Sequence, residues 1–311
     1  MSAVLEVLEP GVFTTIQDLG RAERRAGVPT GGAMDRFALA AANLLVGNPE
    51  NTGALECTLG GLVLVALDTC LLAVTGADFQ PAVNGEPVPV WTSIFLAGGD
   101  RLTFAGRRWG ARCYVAVAGG VAGQRWLGSV STYLLVTRGG HKGRPLKKGD
   151  RLDTAVEPPR PMVAGRNLPV RLRPPYLGDH RLAAIQGPHF TQLAARARKT
   201  FYNGTYKVSR EADRMGYRLE GPELELKAEE LVSFGLAFGA VQVPTSGQPI
   251  LLMADHQTAG GYPAVAGVPR ADLPLAAQLV PGDEIRFAPS TVEEAQKRWR
   301  GLRAGLETLK P

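Results

Sequence analysis

The sequence is poor in the residues and patterns that most often announce a function on their own. Its 311 residues hold three cysteines, Cys57, Cys70 and Cys113. They are odd in number, far apart and without a CxxC pair, which argues against a disulfide framework and fits a reducing cytoplasm. Cys70 and Cys113 lie in apolar runs and read as small core residues. Four histidines, His141, His180, His189 and His256, are scattered without an HExxH pattern or a His/Cys cluster, so no metal ligands are expected. No GxxxxGK[ST] loop, no GxGxxG running from strand to helix and no GxSxG elbow occurs. Aromatic residues make up only 7% of the chain, and its cations come in twos and threes with acids between them. The net charge of +6 therefore lacks a nucleic-acid footprint and suits solubility or an anionic partner. No apolar run reaches the ~18–20 residues that span a bilayer. The opening MSAVLEVLEPG has neither the basic nor the apolar region of a signal peptide. A cytoplasmic protein is expected, with no nucleic acid and no membrane as partner.

What is abundant is chain-breaking chemistry. Gly 38 and Pro 23 make up nearly a fifth of the sequence, which suits short strands and many turns. Strands are expected at 62–67, 69–74, 93–96, 101–104 and 111–118, then at 181–185, 223–226, 240–243, 250–253 and 284–287. Gly-Asp pairs precede alternating segments at 99–100, 149–150 and 282–283, a recurrence consistent with duplication. Between the halves, residues 156–176 carry six prolines, which cannot form a central strand or a helix interior. The expected organisation is a first domain at 1–157, a linker at 158–176 and a second domain at 177–311. Three helices are expected: 34–46 with Gly47 as its stop, 188–199 begun by Pro188, and 291–309 with Ser290 and Glu293 in capping-box spacing. The whole reads as mainly β with a few helices.

Three polar constellations stand out. TTIQDLGRAERRAGVPTGGAMD, residues 14–35, interleaves Gln17, Asp18 and Arg21 with turn glycines that could face an anion; Asp35 could equally cap the helix that follows. SREADRMGYRLEG, residues 209–221, spaces Arg210, Arg214 and Arg218 four apart, and arginine forks suit carboxylate or phosphate. Asp213 and Arg214 pairing locally to hold a turn is the structural alternative there. In VQVPTSGQPILLMADHQTAGGYP, residues 241–263, an apolar run delivers Asp255, His256, Gln257 and Thr258 to a loop of Gly260, Gly261 and Tyr262. An extended chain would put Asp255 and Gln257 on one face and His256 on the other. Asp255 and His256 are the candidates for proton transfer.

Together with ANLLVGN, ALECTLGG and AQLVPGDEIRF, these segments resemble the biotin-dependent carboxyltransferase-like family from about Val12 to Phe287. That family includes the C subunit of bacterial ATP-dependent 5-oxoprolinase and a carboxyltransferase segment of urea carboxylase (also called allophanate hydrolase subunit 2). The resemblance implies two cyclophilin-like β-barrel domains and an obligate hetero-oligomer with the B subunit of that enzyme, completed by its A subunit. It implies hydrolysis of 5-oxo-L-proline to L-glutamate with ATP, by a chain inactive alone that shares the nucleotide with its partner. Biotin enters only under the urea-carboxylase alternative. A second alternative is a regulatory protein that sequesters a kinase inhibitor resembling the B subunit. In this frame Arg214, Gly260 and Gly261 are expected at an anion, Tyr262 as a pocket wall, and Gln257, Thr258, Gln17, Asp18, Arg21 and Asp35 as binding residues. The sequence departs from the family at AERRA, which lacks a usual glycine, at Ala212 in place of a serine, and at Leu62 in place of a proline.

Overall fold

The computed structural model describes residues 3–227 and 231–310. They group into two units by their contacts. One comprises the chain up to Ala22, Gly31–Arg173 and the residues from Arg303 onward; the other comprises Glu23–Thr30 and Pro174–Leu302. The architecture is mainly β with a few helices, as expected.

The first unit holds β1 (Ala3–Pro10), β2 (Phe13–Gln17), α1 (Arg36–Leu45), β3 (Ala54–Thr58), β4 (Leu62–Ala66), β5 (Cys70–Asp78), β6 (Pro81–Val83), β7 (Glu86–Pro87), β8 (Thr92–Leu96), β9 (Arg101–Phe104), β10 (Trp109–Val117) and β11 (Arg151–Asp153). Six strands form one sheet in the order β11-β1-β4-β9-β6-β7, and five form another, β2-β3-β10-β5-β8. Alternate residues of both sheets, among them Leu5, Val7, Leu64, Cys57, Leu72 and Val115, build one apolar core. On β5 and β10 the other set of residues is buried as well, because α1 packs on both strands. The helix starts where it does because Asp35 accepts from the Ala38 amide at 2.9 Å. Tyr114 Oη donates to Glu56 at 2.7 Å and accepts from the Asp35 amide at 2.8 Å, so the cap is itself anchored to the sheet.

Up to Arg173, the proline-rich stretch is packed into this unit. Asn167 bridges Thr92, Leu168 is buried, and Arg166 donates to the Leu44 and Leu309 carbonyls.

The second unit contains β12 (Arg181–Gln186), α2 (Ala195–Asn203), β13 (Tyr206–Val208), β14 (Gly216–Glu220), β15 (Phe234–Gly235), β16 (Ala240–Gln242), β17 (Ile250–Leu252), β18 (Ala259–Gly260), β19 (Ala264–Gly267), α3 (Leu273–Ala277) and β20 (Glu284–Pro289), with most of α4 (Val292–Glu307). Seven strands close into a barrel, β12-β19-β16-β17-β14-β13-β20, completed by parallel pairing of β20 with β12. Closure leaves no free edge among these strands. Tyr206, Tyr217, Leu251, Val265 and Phe287 are among its buried side chains.

Three local expectations are corrected. The helix expected at 188–199 begins only at Ala195, after a tight turn at Phe190–Gln192. That turn exists because the His189 amide bonds the Ala264 carbonyl and its imidazole accepts from the Ala264 amide, tying the segment to β19. Residues 223–226 form no strand beyond a single bridge, Leu226 to Leu193. The capping box of α4 lies one residue later than expected: Thr291 and Glu294 exchange side-chain bonds with each other's amides at 3.1 and 3.2 Å. No helix among the described residues is long and apolar enough to cross a membrane.

Candidate functional site

The tetrad at 255–258 emerges from β17, whose Leu251 and Leu252 anchor it in the barrel core. It is not extended. The His256 amide bonds the Met253 carbonyl at 3.2 Å, so the chain turns at Ala254-Asp255 and both Asp255 and His256 are buried. The face alternation expected for an extended chain is therefore replaced by a turn that folds both side chains inward. Two backbone bonds hold the turn against the arginine-rich segment: Met253 N to Met215 O at 2.9 Å and Asp255 N to Arg214 O at 2.8 Å.

On that frame Arg214 meets Asp255 side-on, Nε to Oδ2 at 2.8 Å and Nη2 to Oδ1 at 3.3 Å, with both side chains almost wholly covered. Asp213 does not pair with Arg214. It accepts from the Met215 and Gly216 amides and so shapes the turn that aims Arg214. Thus two of the three constellations, separate in sequence, form one cluster. Arg210 and Arg218 fall outside it, lining a concavity of about 560 Å³ on the barrel with Lys207 and Gln248.

His256 is fully buried. Its Nδ1 lies 2.6 Å from the Gln257 carbonyl, an acceptor, so Nδ1 carries the proton in that bond. Its Nε2 faces Arg24 Nη1 at 3.5 Å, and Arg24 Nη2 donates to the Leu236 carbonyl. With Nδ1 as the donor, Nε2 is placed to accept from the guanidinium. Arg24 comes from a short turn, Arg24–Ala26, that groups with the second unit. A guanidinium has five N–H groups, which leaves donors beyond these two contacts.

Gln257 donates to Gln242 Oε1 at 3.3 Å, and Gln242 donates to the Tyr262 carbonyl at 2.9 Å. Gly260, in β18 opposite Phe234, packs beneath these amides; a Cβ there would lie 3.5 Å from the Nε2 of each glutamine and 3.0 Å from Leu236 Cδ1. A Cβ on Gly261 would lie 2.8 Å from the Leu231 carbonyl. The pair thus provides close backbone approach. The Thr258 carbonyl accepts from the Leu236 amide, and the Tyr262 ring is half-exposed at the rim.

The N-terminal constellation has a different geometry. Asp18 accepts from Ser129 and Ser131 Oγ at 2.6 and 2.5 Å and from the Val130 and Gly20 amides at 2.8 Å each. Those bonds clasp two loops together. Arg21 donates to the Ser131 carbonyl at 2.6 Å and stacks over Trp126 and Tyr133. Gln17 is buried, its amide donating to Thr15 and the Thr132 carbonyl, and Asp35 is the helix cap described above. These four are engaged in holding the first unit together.

Arg24 and Gln242 are the cluster residues that sequence reasoning missed. Arg24 lies in AERRA, whose one local signal is its run of charged residues; Gln242 is the polar residue in an otherwise apolar strand.

Comparison with known proteins identifies the family of the chain. The family model for the carboxyltransferase domain, subdomain A and B, matches residues 26–289. The chain is 39% identical to the C subunit of 5-oxoprolinase from Escherichia coli (strain K12), over 98% of this chain and 97% of that protein. Its structure is similar to that of Kluyveromyces lactis urea carboxylase, with a TM-score of 0.93 at 28% identity, over 99% of this chain and 29% of the longer one. It is also similar to TTHA0988, with a TM-score of 0.81 at 37% identity, over 92% of this chain and 55% of that one.

Proposed function

The chain belongs to the carboxyltransferase domain, subdomain A and B, family, and from that premise we propose that it is one component of an ATP-dependent 5-oxoprolinase, inactive alone and working with the A and B subunits of that enzyme. The observation that carries this reading is the near full-length similarity to the C subunit of 5-oxoprolinase in both directions. The reaction converts 5-oxo-L-proline, ATP and water to L-glutamate, ADP and phosphate. A lactam is protected by amide resonance. Phosphorylation of its carbonyl oxygen makes the carbon electrophilic; water then adds, and the ring nitrogen takes a proton as the C–N bond breaks. A second water releases phosphate from the acyl phosphate that results.

The residues of the second unit fit parts of this chemistry. The developing anion needs preorganised cations and amide donors. Arg24 is the cation with donors to spare, and Arg214, fixed by Asp255, is the second. The backbone of Gly260 and Gly261 approaches the same cluster, Gln257 and Thr258 orient the substrate, and Tyr262 forms a wall. Asp255 and His256 are the groups for proton handling. Because the chain has no phosphate-loop motif, the nucleotide is shared with a partner protein. The test is to mix the purified A and B subunits with this chain, 5-oxoproline and ATP. Glutamate above a control lacking this chain supports the assignment; its absence rejects it. The likeness to urea carboxylase favours a second reading, carboxyl transfer from biotin, which predicts binding of free biotin by this chain.

A further inference from the structure

One stretch of this chain is without acids. Between Asp100 and Asp150 there is no aspartate or glutamate, while ten arginines and lysines fall there. The rest of the chain has 25 cations against 29 acids, so the whole excess of positive charge resides in this stretch. Within it, two turns leave large apolar side chains uncovered. Leu127 is 41% exposed, and Leu134, Leu135 and Val136 are 39%, 78% and 42% exposed. Single exposed apolar side chains are ordinary, but three in a row beside a fourth are not.

These side chains stand on a rigid base. Trp126 pairs with Ser129 and Tyr133 with Arg138, each closing a tight turn. The Trp126 and Tyr133 rings, which begin the two turns, stack with centroids 6.1 Å apart. The Arg21 guanidinium lies 5.0 and 5.7 Å from their centres. Leu127 and Thr137 hold φ of +48° and +50°, a conformation costly for residues with a Cβ. Arg125 and Arg138, both exposed, flank the apolar tip in sequence.

We propose that this apolar tip with its cationic border is the docking face for an acidic protein partner bearing an apolar groove. The inference rests on the functional reading above, which supplies partner proteins. Preformed turns with aromatic support suit a fixed protein groove, and a border of one sign selects a partner of the other. The test uses the full chain with the purified B and A subunits, measured by titration at two salt concentrations. Leu135→Asp is expected to weaken association at least about 10-fold, and the double change Arg125→Glu/Arg138→Glu to do the same, since buried apolar anchors and complementary charges dominate such faces. Lys297→Glu, a charge reversal outside this stretch, is expected to leave affinity unchanged. Thermal unfolding monitored by circular dichroism should be the same for all variants, because the altered side chains are exposed.

Unchanged affinity in Leu135→Asp overturns the proposal, as does failure of the native chain to bind either partner. Leu135-dependent sedimentation with vesicles containing anionic lipid, without binding to either partner, overturns it in favour of a membrane. Glutamate production with unchanged binding by Leu135→Asp keeps the functional reading and removes this one. Leu135-dependent binding without glutamate does the reverse.

Discussion

The Arg214–Asp255 pair separates structural from chemical roles in one experiment. Both side chains are nearly covered, at 12% and 11% exposure, and they meet through two N–H···O bonds. Removing Arg214 leaves Asp255 buried without the guanidinium that faces it, which costs about 3–5 kcal/mol at such sites. Arg214→Met is therefore expected to lower the stability of the second unit by about 3 kcal/mol or more. Replacing both, Arg214→Met with Asp255→Leu, removes both charges and should recover part of that loss. The backbone bond from the Asp255 amide to the Arg214 carbonyl survives in every variant, so the turn keeps its frame. Urea unfolding followed by circular dichroism gives the totals, and amide hydrogen exchange along β14 and β17 assigns the loss to the barrel. If the pair also serves the reaction, the double variant regains stability while turnover in the reconstituted enzyme stays low. A single variant that costs less than about 1 kcal/mol, or a double variant no more stable than the worse single, would refute the reasoning.

Three further outcomes are expected. Arg144 hydrogen-bonds Asp150 through both oxygens and holds its carboxyl at about 2, below its ordinary value of 3.8; a lowered folded pKa contributes stability that is present above pH ~4 and lost as pH falls toward ~2. Asp150→Asn should thus destabilise the chain at pH 7, with the difference from the native chain shrinking as pH falls through about 2, which melting curves across that range will show. Gly32 has a φ of +85°, and a Cβ there would sit 2.7 Å from the Gly20 amide nitrogen and the Leu19 carbonyl carbon, so Gly32→Ala should cost about 2 kcal/mol or more by denaturant titration. Thr291→Ala removes one half of the α4 capping box and should cost about 1 kcal/mol, with faster exchange confined to the first turn of that helix.

Elements set by local chemistry were legible in the sequence. The strands expected at 62–67, 69–74 and 250–253 correspond to Leu62–Ala66, the first part of Cys70–Asp78 and Ile250–Leu252, because turn residues bound those apolar runs, and the helix expected at 34–46 corresponds to Arg36–Leu45. Elements set by distant partners were not. Pro188 suits a helix start, yet the tie between His189 and Ala264 holds the chain in a turn, and the helix waits until Ala195. The parallel closure of β20 on β12 joins segments from opposite ends of the second unit and leaves no local pattern. In the candidate site, Arg214, Asp255 and His256 could be picked out by residue type, whereas their ion pair and turn could not. Arg24 meets His256 across 232 positions, so nothing near either residue announces the contact.

The grouping of Glu23–Thr30 with Pro174–Leu302 has a practical corollary for dissecting this molecule. A single cut near Arg173 yields a C-terminal fragment that carries His256 and Leu236 but forfeits the Arg24 guanidinium facing them. That fragment would also take with it the last turn of α4, whose Arg303 pairs with Glu50 on the other side of the cut. During ribosomal synthesis the Arg24 turn likewise emerges long before its acceptors exist. Half-chain expression is thus a poor guide to either unit, and a faithful excision must splice residues 23–30 ahead of the barrel.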